Sequence, residues 1–179
     1  ISPNGKFLAV AHYELGTELG SFNNSTGEIQ SIFKDFEAAR HFTYGCSFSS
    51  DSKYAYYTIE YYDSLTANDS IQGNEIIEIG VDSYYLGNTD SASIVQSKTR
   101  LLQRDSIAYF YGMQLGPDNK IYVRGFITDS TELPQFRRDK LFVIKQDRDS
   151  ISETSLYFPH PNIGSSMSLP SFPDAIFTN

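Results

Sequence analysis

The sequence predicts an all-β chain of repeated hairpins, and three observations predict it. One phrase recurs: Tyr44-Gly45-Cys46-Ser47-Phe48-Ser49-Ser50-Asp51-Ser52-Lys53-Tyr54 aligns without a gap on Tyr111-Gly112-Met113-Gln114-Leu115-Gly116-Pro117-Asp118-Asn119-Lys120-Ile121, and Ile1-Ser2-Pro3-Asn4-Gly5-Lys6-Phe7 is the same phrase without its front. Each copy passes from an apolar stretch through a polar turn into aromatic and β-branched residues, which suit a pleated, packed surface. Helix signals are weak, and only residues 36–40 suggest a short turn.

Taken in order, the elements build a four-stranded antiparallel meander. In the second copy a strand at 44–48 enters a turn at 49–52 and leaves along 53–59, with further strands expected at 75–80 and 93–101. The third copy repeats this with 111–115, the turn Pro117-Asp118-Asn119, an exit at 120–123, and strands at 140–145 and 152–158. Pro and Asn-Gly pairs preset the backbone for such reversals. Ser165-Ser166-Met167-Ser168-Leu169-Pro170 then repeats the front half alone. The expected units are therefore 1–42, lacking its first strand; 43–108, carrying an insertion; 109–164; and 165–179, which opens a further unit.

Spacing locates the insertion. Lys6 and Lys53 are about 47 positions apart and Lys53 and Lys120 about 67, against about 40–50 for one blade of a propeller. The polar stretch 64–74 is the natural place for part of the excess, and 82–90 is a second. Long loops on one face of such a fold are often where partners bind, and are at least as often unconstrained surface decoration. Tyr61, Tyr62, Asp63, Asn68 and Asn74 are accordingly the candidate ligand-binding surface.

Composition narrows the class. The chain has 179 residues, 40% of them hydrophobic and rich in Tyr and Phe, enough to bury a core. No apolar run approaches the roughly 20 residues of a membrane helix. A net charge of −8 argues against nucleic-acid binding, which wants a basic face. The chain begins with Ile and shows no charged-then-apolar leader, so any export signal is expected to lie outside this span or to have been removed. The single cysteine, Cys46, excludes an internal disulfide framework, and its alignment with Met113 and Met167 marks it as a small apolar strand residue.

No catalytic constellation emerges. The chain has no G-x-S-x-G elbow, Walker loop, H-E-x-x-H or paired CxxC. His12, His41 and His160 fall at repeat positions that do not align, so surface or packing roles are expected of them, with no metal ligands and no cofactor. Asp147 and Asp149 alternate as a carboxylate pair would, yet Arg148 between them favours a solvated turn. The Tyr54, Tyr56, Tyr57, Tyr61, Tyr62 cluster has strand periodicity and is read as sheet packing before it is read as a carbohydrate-stacking platform.

The repeated phrase resembles the S-P-D-G-K-x-L-Y-V hairpin of WD40-like and YVTN-type β-propellers. Leu115-Gly116-Pro117-Asp118-Asn119-Lys120-Ile121-Tyr122-Val123 together with Ser168-Leu169-Pro170-Ser171-Phe172-Pro173 resembles the propeller region of bacterial surface proteins associated with gliding motility and type IX secretion. Ser52 and Asn119 stand where that hairpin has Gly, and Gly116 where it has Ser; Asn tolerates positive φ and Ser is acceptable in a type I turn.

The resemblance implies a partial propeller of about three blades, exported to the cell surface. It would serve as a non-catalytic protein- or glycan-binding or assembly scaffold. Further blades would come from a longer parent chain or from self-association. The alternative it implies is a metal-dependent hydrolase of the lactonase or strictosidine-synthase type. Six Asp-Ser pairs followed by a small or aliphatic residue, as in Asp63-Ser64-Leu65, resemble the O-glycosylation sequon of the same bacterial group and equally fit turns before strands. Asn-x-Ser/Thr matches at Asn23, Asn24 and Asn68 carry little weight.

Overall fold

The turn is the unit from which the architecture grows. In its first copy the Ser2 hydroxyl donates to Asn4 Oδ1 at 2.8 Å and accepts the Phe7 N–H at 2.9 Å, while Asn4 Oδ1 accepts the Lys6 N–H. Ser49 and Asp51 repeat these bonds with the N–H groups of Tyr54 and Lys53. Gly5, Ser52 and Asn119 hold the same place with φ of 72°, 62° and 63°, the left-handed conformation that Gly, and to a lesser degree Asn, adopts without strain. These side chains satisfy the turn's backbone locally, so each reversal is written into four or five residues.

The computed structural model describes residues 1–35, 41–62, 71–81, 91–105, 108–128, 137–145 and 151–155. They form three antiparallel sheets. The first contains β1 (Phe7–His12), β2 (Gly16–Phe22) and β3 (Ile29–Asp35), in that order. The second contains β4 (His41–Phe42) and β5 (Cys46–Phe48), both paired with β6 (Tyr54–Tyr62), then β7 (Ile71–Gly80) and β8 (Thr99–Asp105). The third runs β9 (Ala108–Leu115), β10 (Ile121–Thr128), β11 (Arg137–Ile144) and β12 (Ile151–Ser155) in sequence order. The chain is thus all-β in character, with one short helix, α1 (Ser91–Gln96), among the described residues.

Strand alternation gives the second sheet two buried faces. Tyr57, Ile59, Ile77 and Ile79 pack with Phe7, Leu19 and Phe33 of the first sheet. Tyr56 and Ile76 point the other way and pack with Phe110, Ile121, Val123, Phe142 and Ile144 of the third. A sheet covered on both sides loses the polar face a two-layer protein would show, which is why Tyr56 and Tyr57, adjacent in sequence, are both buried. Of the tyrosine cluster, Tyr57 and Tyr61 pack on one face and Tyr56 on the other.

Several expectations need correction. The strand placed at 93–101 begins only at Thr99, because residues 93–96 belong to α1. Ile94 is wholly buried with Phe33 while Val95 is exposed. The Ser97 hydroxyl donates to Ile94 O at 2.6 Å and accepts the Gly80 N–H at 2.9 Å, closing the helical turn onto the end of β7. The strand placed at 44–48 begins only at Cys46; residues 43–45 are not strand, and the Thr43 hydroxyl bonds to His12 O and Gly16 O of the first sheet. The loop placed at 64–74 ends earlier, since residues 71–74 are strand and Gly73 is paired on both sides, with Tyr61 and Asp105. The helical turn at 36–40, the stretch 82–90 and the phrase at 165–170 lie outside the described residues.

The gapless alignment of the phrase also slips by one residue in space. Phe48 pairs with Ala55, but Leu115, aligned with Phe48, pairs with Ile121, so Ile121 takes the place of Ala55 and not of Tyr54. Gly116 causes this. With no hydroxyl to receive the N–H groups of the returning strand, its own N–H bonds to Lys120 O, one residue earlier than the Ser49 N–H to Tyr54 O bond. A Cβ at Gly116 would sit 2.6 Å from the Tyr122 ring, whose hydroxyl instead donates to Asp118 Oδ2 at 2.9 Å.

Candidate functional site

The two ends of the sheet stack differ. At the end remote from the turns, aromatic rings cross both junctions in a continuous row. Tyr13 meets Phe42 at 4.6 Å and Tyr44 at 5.3 Å; Tyr44 meets Tyr111 edge-on at 5.1 Å; Tyr111 and Tyr109 both pack on Phe126. Tyr44 and Tyr111 are the leading tyrosines of the repeated phrase, so the repeat itself sets this row. Burial, and then the carboxylate of Glu60 and the neighbouring Tyr13, push the Tyr44 phenol far above its ordinary range. The edge-on geometry satisfies the rings against one another and makes the row a seam between sheets.

Beside the seam the backbones come close. A Cβ at Gly45 would lie 2.2 Å from Tyr111 O and 2.9 Å from Met113 N, so only glycine permits this approach of β5 to β9. Cys46, next in the chain, packs against the first core with its Sγ 3.5 Å from Ala9 O, and burial pushes its thiol up. That environment makes it an inert packing residue.

At the turn end the junctions diverge. Between the first and second sheets, Phe7 stacks on Phe48 at 6.4 Å and the Asn4 N–H donates to the Ser52 hydroxyl at 3.0 Å, tying one turn to the next. Between the second and third sheets, Asn119 holds the Ser52 position but makes no such bond, and a cleft of about 310 Å³ opens. Its floor is Tyr56, Ile121 and Ile144, all buried. Ser49, Ser50, Asp51, Asn119 and Lys145 form its polar wall, with Tyr54 half-buried among them.

The electrostatics of the cleft are balanced. Burial alone would push the Asp51 carboxyl up, but hydrogen bonds from the Ser49 hydroxyl and the Lys53 N–H outweigh it and hold the group below its ordinary value. The Ser49 hydroxyl and the Lys53 N–H both donate to Asp51 Oδ1, which leaves Oδ2 as an acceptor. Lys145 supplies one ammonium, and neither it nor the Asn119 amide has a partner among the described residues. One carboxylate, one ammonium, one amide and two hydroxyl-bearing serines therefore surround an apolar floor.

The residues expected from the sequence are not gathered at one place. Asp63 and Asn68 lie outside the described residues, as does the side chain of Tyr62. Tyr61 faces the first sheet, where its hydroxyl donates to Glu75 Oε2 at 2.6 Å, and Arg100 Nε completes the group at 2.7 Å from Glu75 Oε1. Asn74 sits on the opposite face, opposite Glu60 on β6 and fully buried, with neither side-chain amide atom hydrogen-bonded. His12 pairs with Glu18 at 3.5 Å on the first sheet, the His41 side chain is not described, and His160 lies outside. Among the described residues no three His, Cys, Asp or Glu side chains converge as a metal site would need.

What the sequence reading missed is the cleft. Tyr54, Asp51 and Asn119 all belong to the repeated phrase, and the Ser49-to-Gly116 change between copies is the signal that their surroundings differ. Lys145 carries no comparable signal. No helix among the described residues is long and apolar enough to cross a membrane. The chain matches no protein-family model, and no curated protein is significantly similar to it.

Proposed function

We propose that the chain is part of a β-propeller, exported to the cell surface, that serves as a non-catalytic scaffold binding protein or glycan. The observation that supports this best is the face-to-face stacking of three successive meanders, with the middle sheet buried on both faces. Stacked repeats spend their apolar faces on their neighbours and leave loops and clefts for recognition. The sheet order, in which β9 and β5 form edges and later strands follow outward, supports this reading because propeller blades are meanders of that order, and the resemblance of the repeated phrase points the same way.

The test is metal analysis and lactone hydrolysis on the purified chain, with protease shaving of intact producing cells. The expected result is surface exposure, no stoichiometric divalent metal and no hydrolysis. Bound metal with turnover lost on changing His12 or His41 to Ala would instead establish the lactonase-type alternative.

A further inference from the structure

We infer that the cleft between the second and third sheets binds one ring of a neutral sugar. Its origin is a difference between two equivalent places. The first junction is closed by the Phe7–Phe48 stack and the Asn4-to-Ser52 bond. At the second, the shortened turn puts Ile121 in the Ala55 position, the Asn119 side chain makes no bond to the facing turn, and the cleft opens between them.

The lining chemistry selects the ligand. A pyranose has apolar C–H faces and a rim of hydroxyls, each both donor and acceptor. Tyr54 and the floor of Tyr56 and Ile144 suit the former. Asp51 Oδ2 as acceptor, the Asn119 amide as both, and the Lys145 ammonium as donor suit adjacent hydroxyls. A volume of about 310 Å³ lies at the lower end of the ~300–1,000 Å³ range of small-molecule sites and holds one ring.

Other classes fit less well. An anion would meet the Asp51 carboxylate, which is held in its charged form. A metal would find one carboxylate where it needs several oxygen ligands. A purely apolar ligand would strip water from the whole polar wall without replacing its hydrogen bonds. This inference rests on the glycan branch of the proposed binding role.

The experiment is saturation-transfer NMR and calorimetry on the 179-residue chain, with the methyl glycosides of glucose, galactose, mannose and N-acetylglucosamine as probes. Saturable binding to at least one probe is expected, with a Kd of about 1 mM, as suits a single small ring. Asn119→Gly keeps the φ of 63° and removes the amide; Asp51→Asn keeps the Oδ1 acceptor and removes the charge. Each should weaken binding at least tenfold with the melting temperature unchanged, and if Asp51→Asn fails to fold, Asn119→Gly decides alone. Absence of binding to all four probes, or binding that Asn119→Gly leaves unaltered, overturns the sugar site. Neither result touches the scaffold reading, which falls separately on bound metal with lactone turnover.

Discussion

At the first junction Phe7 is 1% exposed and stacked on Phe48; at the second, Tyr54, which holds the Phe7 position in the next hairpin, is half-buried beside a cleft. The strands behind the two residues are alike, and the turns facing them are not. Ser52 closes the first junction with its hydroxyl, whereas Gly116 shortens the third hairpin and withdraws the corresponding contact from the second. A repeat can therefore keep its backbone plan while one residue of its turn decides whether a junction is core or cleft.

The second junction is nevertheless tight at its other end, and this supplies the largest expected effect. Gly45→Ala would force a Cβ to within 2.2 Å of Tyr111 O, a backbone atom that cannot swing aside. A loss of about 3 kcal/mol in urea unfolding is expected, in the upper range for overpacking. A near-neutral result would show that β5 and β9 are not held together there.

Asn74→Leu comes next and runs in the opposite direction. Asn74 is fully buried and its amide atoms have no hydrogen-bond partners, so replacing it with an apolar side chain removes a desolvation cost. A gain of about 1 kcal/mol is expected in the same assay. A loss would show that the amide is used.

Ser52→Ala isolates the turn-to-turn bond, since both residues bear the same cost at a φ of 62°. A loss of about 0.5–1 kcal/mol is expected. Unchanged stability would show that this bond does not hold the first junction.

The smallest effect concerns pH. Burial pushes the Asp118 carboxyl up, but hydrogen bonds from Lys120 and Tyr122 outweigh it and hold it below its ordinary value of 3.8. A depressed folded-state value means the contribution is present above pH 3.8 and is lost as the pH falls below it. The first turn has Asn4 at this position and does not titrate. Asp118→Asn should flatten the acid limb of urea midpoints between pH 5 and pH 2, and an unchanged limb would contradict the assignment.

The hairpins, the meander and the packing role of Cys46 were legible because they depend on local chemistry: turn residues at fixed offsets and apolar alternation. Tyr56, Tyr57 and Tyr61 were legible as sheet packing for the same reason. Residues 93–96 were not, because Ile94 is drawn into a helical turn by the core beside Phe33 and by the Ser97 cap, both of them tertiary. Asn74 was placed in a loop because Asn is rare in buried strands. The cleft was hidden because it arises from a one-residue change in register, which a gapless alignment of the phrase conceals.

The most direct test of the contrast between junctions is the difference in unfolding free energy between Phe7→Ala and Tyr54→Ala. Phe7→Ala should cost about 3–5 kcal/mol, as expected for an aromatic ring removed from a closed core. Tyr54→Ala should cost less by about 2 kcal/mol, because its ring already borders open space. Equal costs, with Tyr54→Ala as damaging as Phe7→Ala, would mean that the second junction is packed like the first and that the cleft is not a feature of the folded chain.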